Sequence, residues 1–386
     1  MNSTAARIRD AFIQKYQHTP RLFRSPGRIN LIGEHTDYNE GFVLPASVDK
    51  AVYFAIAPRE DDLVQLEAVD LGESFEFRLD DLSKPAPQWP VYQLAVLDQL
   101  QKAGLEIKGF QASFGGDLPV GAGMSSSAAL ECCLLFALNE LFDLGLVQLE
   151  IVKMAQRAEN EYVGMKCGIM DQFASVFGKE QSVIQLDCRS LEYQYFPFPM
   201  DEYLLVLCDT KVKHSLADSE YNLRRQECER GVEILQKHYP EIRSLRDATP
   251  ALVAEHEDEL GPTIYKRCKF ITGEIQRVQE ACALLLEGDL ESFGEKMYET
   301  HDGLQHLYEV SCPELDFLVE QTRYNADVAG ARMMGGGFGG CTINLVWREG
   351  TDRFEQKMKA AYQKEFGIEL PCYRVTITDG TAEVEV

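Results

Sequence analysis

A chain of 386 residues, 45% of them hydrophobic, can bury full cores and is too long for most single ones, so two domains are expected. Its net charge of −24 repels nucleic acid and anionic lipid at long range, which excludes both as partners. Its 11 cysteines form no Cys-x-x-Cys pair and its 7 histidines no His-Glu-x-x-His, so neither a disulfide framework nor a structural zinc site is expected.

Met1 to Arg9 are polar and lack the apolar core of a signal peptide. The most apolar run, residues 132–138, is too short to span a bilayer. With reduced thiols, these features predict a cytoplasmic protein. Residues 51–57 and 63–69 are rich in β-formers. Residues 73–79 alternate polar and apolar side chains through Phe75, Phe77 and Leu79, as a half-buried strand does. The prolines at 85, 87 and 90 predict a surface loop over residues 84–90. Helices are predicted at 91–103, 127–142 and 150–162; in the last, Ile151, Met154, Ala155, Ala158 and Tyr162 share one face.

Pro197 and Pro199 mark a domain boundary. Beyond it come an apolar strand at 203–208, a charged helix at 218–239 and a mainly helical region at 264–329. Strands at 342–347 and 373–377 flank a helix at 353–366, which predicts an α+β sandwich with helices on one face of a sheet.

Four segments carry chemistry. In the first, Gly121 and Gly123 lead through Ser125, Ser126 and Ser127 into a helical run. Glycines let the backbone approach a ligand closely, and the free N–H groups of a helix start favour anions. A phosphate cradle and an ordinary helix cap are equally good readings of that stretch alone. No Gly-Lys-Ser/Thr follows, so it is not a Walker A loop. The second segment has five glycines in the six positions from Gly335 to Gly340. A tight turn rarely needs so many, so a loop closing over a ligand is the better reading. The third places Arg28, Glu34, His35, Thr36 and Asp37 among the apolar anchors Ile29, Leu31 and Ile32. Paired carboxylates suit vicinal hydroxyls, although a solvated loop explains Glu34 to Asp37 as well. The fourth sets Asp171 among Ile169, Met170 and Phe173, as a general base or a helix cap, with Glu159 twelve residues earlier.

In this order the four segments resemble the galactokinases, a branch of the GHMP kinases. Gly27-Arg-Ile-Asn-Leu-Ile-Gly-Glu-His-Thr-Asp-Tyr38 is similar to the galactokinase signature. The stretch from Pro119 to Ala129 resembles the superfamily ATP loop, and that from Met334 to Cys341 its C-terminal glycine motif. Gly168 to Phe173 and Ser219 to Asn222 also follow the family. The resemblance implies two α+β domains, residues 1–195 and 196–386, with the active site in the interdomain cleft. It implies transfer of the γ-phosphoryl group of ATP to the anomeric hydroxyl of galactose, with Asp171 as base and sugar contact and Arg28 steadying the transferred group. Glu34, His35, Thr36, Asp37 and Tyr221 would bind sugar. Gly121, Ala122, Gly123, Met124, Ser125, Ser126 and Ser127 would hold ATP, and Ser127 and Glu159 would ligate Mg2+. Met124 and Met334 stand where leucine and threonine are common; neither removes a polar catalytic group. Kinases of N-acetylgalactosamine, arabinose or galacturonate remain alternatives. So does a non-catalytic galactose sensor, against which the intact Ser125 to Ser127 and Asp171 weigh. A monomer is expected.

Overall fold

The structure, a computed structural model, describes residues 3–82, 89–119, 121–212 and 217–385, with side chains from residue 220 onward in the last stretch. Most of the predicted loop at 84–90 lies outside the described residues.

The first sheet has six strands in the order Ala382–Glu383, Arg21–Asn30, Pro45–Pro58, Phe110–Gly116, Leu63–Ala68 and Glu73–Arg78. All neighbours are antiparallel except Leu63–Ala68 and Phe110–Gly116, which run parallel. The Pro45–Pro58 strand is covered on both faces. Val52, Phe54 and Ile56 enter the main core. Ala51, Tyr53, Ala55 and Ala57 point the other way, onto Ala5, Ile8 and Phe12 of the helix Ser3–Tyr16. Two apolar faces make this strand a near-continuous hydrophobic run in the sequence. The main core is completed by the helices Val91–Lys102, Ser126–Phe142 and Met170–Phe177.

A second, antiparallel sheet runs Val328–Met333, Cys341–Trp347, Tyr203–Asp209, Cys372–Val375. The helices Pro313–Thr322 and Thr351–Phe366 cover it, burying Leu318, Phe354, Met358 and Tyr362 against Leu204, Val206 and Val346. A small third sheet joins Phe42–Val43, Ser182–Asp187 and Tyr193–Pro197. The helices Ala217–Leu235, Pro250–Glu255 and Glu257–Glu287 build a further core around Leu235, Val253, Cys268 and Ile271. The last of these breaks at Gly261, where φ is +68°, just before Pro262.

Three elements differ from expectation. The mainly helical region stops earlier than residue 329: the last helix ends at Thr322, and Val328 already pairs with Val346. That partner strand overrides the weak local preference of the segment. The strand Arg21–Asn30 goes unpredicted because Pro26, Gly27 and three arginines break its pattern; its register shifts between Pro26 and Arg28. The helix expected over 150–162 is α-helical only through Gln148–Arg157, then widens into a π-turn at Ala158–Val163. Such turns collect at functional sites.

Beyond Cys372–Val375 the chain returns to the first sheet. Ile377 bridges to Val48, the Thr381 and Ser25 hydroxyls lie 2.7 Å apart, and Ala382–Glu383 becomes the edge strand beside Arg21–Asn30. All 11 cysteines are free thiols. No helix among the described residues is long and apolar enough to cross a membrane.

Candidate active site

The register shift before Arg28 aims its side chain into a cavity of about 220 Å³, lined by residues of the sugar-type segment, the helix starts and the second glycine loop. Arg28 grips Asp171 with two parallel hydrogen bonds, Nε to Oδ1 at 2.8 Å and NH2 to Oδ2 at 3.0 Å. Its NH1 donates to the Gly123 carbonyl at 2.5 Å. Burial works against the Arg28 charge, yet Asp171 and Glu34 hold the guanidinium above its usual range. Asp171 lies inside the first turn of Met170–Phe177, whose cap is Ile169, so it is not the helix cap. The Ser125 hydroxyl also donates to Asp171.

Ser125 sits in the left-handed region, φ +54° and ψ +55°, immediately before the helix Ser126–Phe142. A serine there is strained by roughly 1–3 kcal/mol. The strain turns its hydroxyl to Asp171 and leaves the first N–H groups of the helix, from Ser126 on, free of intrahelical partners. Ala122 and Met124 are buried. Met124 gives its carbonyl to Arg28 N at 3.1 Å, so backbone rather than side chain does the work there. Of Gly121, Ala122, Gly123, Met124, Ser125, Ser126 and Ser127, the structure brings only Ser127 to the lining of the cavity.

The second glycine loop closes on the first. A Cβ on Gly335 would sit 3.6 Å from the Gly123 carbonyl, and one on Gly337, at φ +87°, would strike the Val310 carbonyl at 2.2 Å. At Gly337, and at Gly339 where a Cβ would meet the Val212 carbonyl at 2.5 Å, the loop's shape excludes a side chain.

On the sugar-type segment, Glu34 Oε1 takes Arg332 NH2 at 2.9 Å and Gly335 N at 2.8 Å. Burial would raise the Glu34 pKa, but Arg332 and Arg28 outweigh it and hold the carboxyl below its usual range. His35 Nδ1 lies 2.8 Å from the Tyr38 hydroxyl, itself 2.7 Å from that of Tyr308. Its Nε2 is buried without a hydrogen-bond partner. Burial pulls the His35 pKa down to about 4, so the ring is neutral. Tyr221 stacks obliquely on it at 5.3 Å. Asp37 is packed so closely that a Cβ on Gly168 would meet Oδ2 at 2.0 Å. Burial, then the charge of Asp171, pushes Asp37 up to about 7. Thr36 is placed differently from its neighbours. It is fully buried, its hydroxyl donates to the Gly33 and Phe42 carbonyls, and it does not line the cavity.

The π-turn presents Glu159. Ser127 Oγ donates to Oε1 at 2.9 Å and Gln172 Nε2 to Oε2 at 2.8 Å. Burial, then Asp171, pushes Glu159 up to about 7. Glu161, by contrast, is exposed and takes Gln99 and Lys102. Behind Glu159 lies Glu131, fully buried, with neither oxygen hydrogen-bonded. Burial and Glu159 keep its pKa well above the carboxylate range. As a neutral acid it has a hydroxyl to donate, and the orphaned Oε1 of Gln172 is a fitting acceptor.

A carboxyl whose folded pKa is raised stabilises the fold fully below its unfolded value near 4.5, and loses that contribution as pH climbs through about 7. Glu159→Gln is thus expected to raise the melting temperature of the ligand-free protein at pH 8 and to leave it nearly unchanged at pH 4.5. Equal shifts at both pH values in a thermal melt would contradict the acidic-cluster reading.

Sequence reasoning missed Arg332, Glu131, Gln172 and Tyr308. A lone polar residue in an apolar stretch was the signal available for Glu131, which stands among Leu130, Cys132 and Cys133.

Comparison with known proteins agrees with this geometry. The galactokinase galactose-binding signature matches residues 10–58, the GHMP kinase N-terminal domain residues 91–179 and the GHMP kinase C-terminal domain residues 281–364. A galactokinase of Roseiflexus sp. (strain RS-1) is 39% identical over 98% of this chain and 96% of its own length. The chain belongs to the galactokinase family. Another member, from Clostridium acetobutylicum, is 42% identical over 95% of this chain and 96% of its own. The crystal structure of Lactococcus lactis galactokinase complexed with galactose superposes with a TM-score of 0.94 at 36% identity, covering 97% of this chain and 98% of that one. Methanococcus jannaschii mevalonate kinase, at 17% identity and a TM-score of 0.65 over 94% of this chain and all of its own, shares the fold.

Proposed function

We propose that the chain transfers the γ-phosphoryl group of ATP to the anomeric hydroxyl of α-D-galactose, giving α-D-galactose 1-phosphate. The placement of Asp171 carries this reading. Its carboxylate, clamped by Arg28, faces a single cavity shared by Glu34, His35, Asp37 and Tyr221 with Ser127 and Glu159.

Glu34 and Asp37 accept hydrogen bonds from sugar hydroxyls. His35 Nε2 lines the cavity without a partner of good geometry among the protein atoms, so it suits a sugar hydroxyl. Tyr221 offers a ring face beside it. Asp171 takes the proton of the attacking hydroxyl. Arg28 holds that carboxylate in one orientation and meets the charge that spreads over the transferred group. The free N–H groups at the start of Ser126–Phe142 hold the phosphates. All these groups belong to one chain, so a monomer suffices.

The donors also suit Mg2+. Ser127 Oγ and Glu159 Oε1 are hard oxygens, and the groups bonded to Glu159 are all neutral, so its buried charge lacks a counter-ion. Ser127 and Glu159 would hold the ion, which supplies Lewis-acid neutralisation of the phosphate charge when bound.

Purified protein with ATP and Mg2+ is expected to release ADP with galactose and not with glucose. Turnover confined to N-acetylgalactosamine or arabinose would overturn the substrate, and galactose binding without turnover would overturn the activity. Arg28→Ala is expected to lower kcat by roughly 10²–10³-fold, and a kcat within threefold of the parent would remove Arg28 from the mechanism.

A further inference from the structure

Far from this cavity, three side chains converge that the sequence keeps apart. His238 follows the helix Ala217–Leu235, His256 ends the turn after Pro250–Glu255, and Glu259 stands in the first turn of Glu257–Glu287. His238 Nε2 lies 2.7 Å from Glu259 Oε2, and His256 Nδ1 lies 3.3 Å from Glu259 Oε1. The two imidazoles are tilted against each other, with centroids 4.7 Å apart and planes inclined by 34°. One ligand-type atom from each of the three residues falls within 4.8 Å of the others. Ligands about 2.0–2.1 Å from a tetrahedral zinc lie roughly 3.3 Å from one another, so small side-chain rotations close this triad on an ion. His256 Nε2, the nitrogen facing away from Glu259, lies 3.5 Å from the Tyr239 hydroxyl. An outer partner of that kind fixes the tautomer and orientation of a ligating imidazole.

We propose that His238, His256 and Glu259 form a surface site for a divalent transition-metal ion of the zinc class, with water or a small anion completing the coordination. Two imidazoles and a carboxylate favour Zn2+, Ni2+ or Cu2+ over Mg2+, so the ion that serves the phosphates does not compete for this place. His238 and Glu259 are exposed and His256 is partly so, which leaves the approach open. The net charge of −24 draws cations to the whole surface. The helix Ala217–Leu235 carries Tyr221 to the cavity near one end and is followed by His238 at the other. An ion there ties the far end of that helix to Glu257–Glu287. The expected consequence is thermal stability rather than chemistry.

The test uses the whole chain, stripped of metal with a chelator and then titrated with Zn2+ in equilibrium dialysis and with Co2+ in optical spectroscopy. The wild type is expected to retain one equivalent and to melt several degrees higher with Zn2+. Its Co2+ spectrum should show weak visible bands without the intense thiolate charge-transfer band. His238→Asn and His256→Gln should each lose the ion and the thermal shift while keeping galactose turnover. Tyr239→Phe should weaken affinity about tenfold. No retained ion in the wild type would overturn the proposal. So would an undiminished equivalent in both histidine variants, or a thiolate band, which would place the ion on cysteines instead.

Discussion

Asp171→Asn is expected to cut turnover by roughly 10²–10⁴-fold while the fold survives. Asparagine keeps the shape of the side chain and loses the ability to take a proton. It also turns an amide N–H2 toward donors, because Arg28 presents two N–H groups and Ser125 a hydroxyl to the carboxylate. Whichever way the amide turns, one Arg28 N–H loses its acceptor, while the Ser125 hydroxyl can reverse and accept. The fold should still hold, since Asp171 is only partly buried and Arg28 keeps its bond to the Gly123 carbonyl. Single-turnover kinetics with galactose and ATP, beside a thermal melt, checks both halves. A chemical step slowed less than tenfold would mean that another group takes the proton.

The second large effect concerns stability. Arg332→Met is expected to cost about 3–5 kcal/mol, because it leaves the buried Glu34 carboxylate without its direct ion-pair partner, with only the more distant Arg28 charge nearby. Arg332 is fully buried and spends its donors on Glu34 and on the carbonyls of Leu31, Asn30 and Met333. It therefore locks the strand Arg21–Asn30 to the strand Val328–Met333, across the two sheets that flank the cavity. Urea unfolding measures the loss. Glu34→Gln in the Arg332→Met background should restore part of it, since the stranded charge is then gone. A loss under about 1 kcal/mol would place this arginine among ordinary surface substitutions.

What the sequence disclosed follows from how local each feature is. The glycine–serine loop was legible as a loop leading into a helix because that signal lies in consecutive residues, Gly121 to Ser127. The second glycine loop was legible because an ordinary turn has no use for five glycines in six positions. The apolar neighbours of Asp171 singled it out as a general base or a helix cap, whereas its pairing with Arg28 had no signal in the sequence. Their contact spans 143 residues, and no periodicity predicts it. Arg332 was invisible for the same reason, since a single arginine before two methionines has no signature. Thr36 was grouped with its neighbours by adjacency, whereas the left-handed turn at His35, φ +63°, sends consecutive side chains to different places. The π-turn that aims Glu159 depends on packing around residues 158–163 and has no sequence pattern to read. The histidine–glutamate triad escaped because its members come from three elements.

The edge strand Ala382–Glu383 bears on how the protein is made. The strand that carries Arg28 emerges early in synthesis, but its outer neighbour follows only after the bulk of the chain; Arg21 and Glu383 are 362 residues apart. Until then one edge of the first sheet stays open, exposing unpaired backbone groups while the ribosome is still translating. Late closure of this kind is slow, because a very long loop must close before the pairing repays it. The chain should therefore become fully protease-resistant only after release, when residues 377–383 dock, and Ile377→Asp should slow that step in pulse proteolysis. A tag fused close behind Glu383 should lower the yield of soluble protein more than one fused before Ser3.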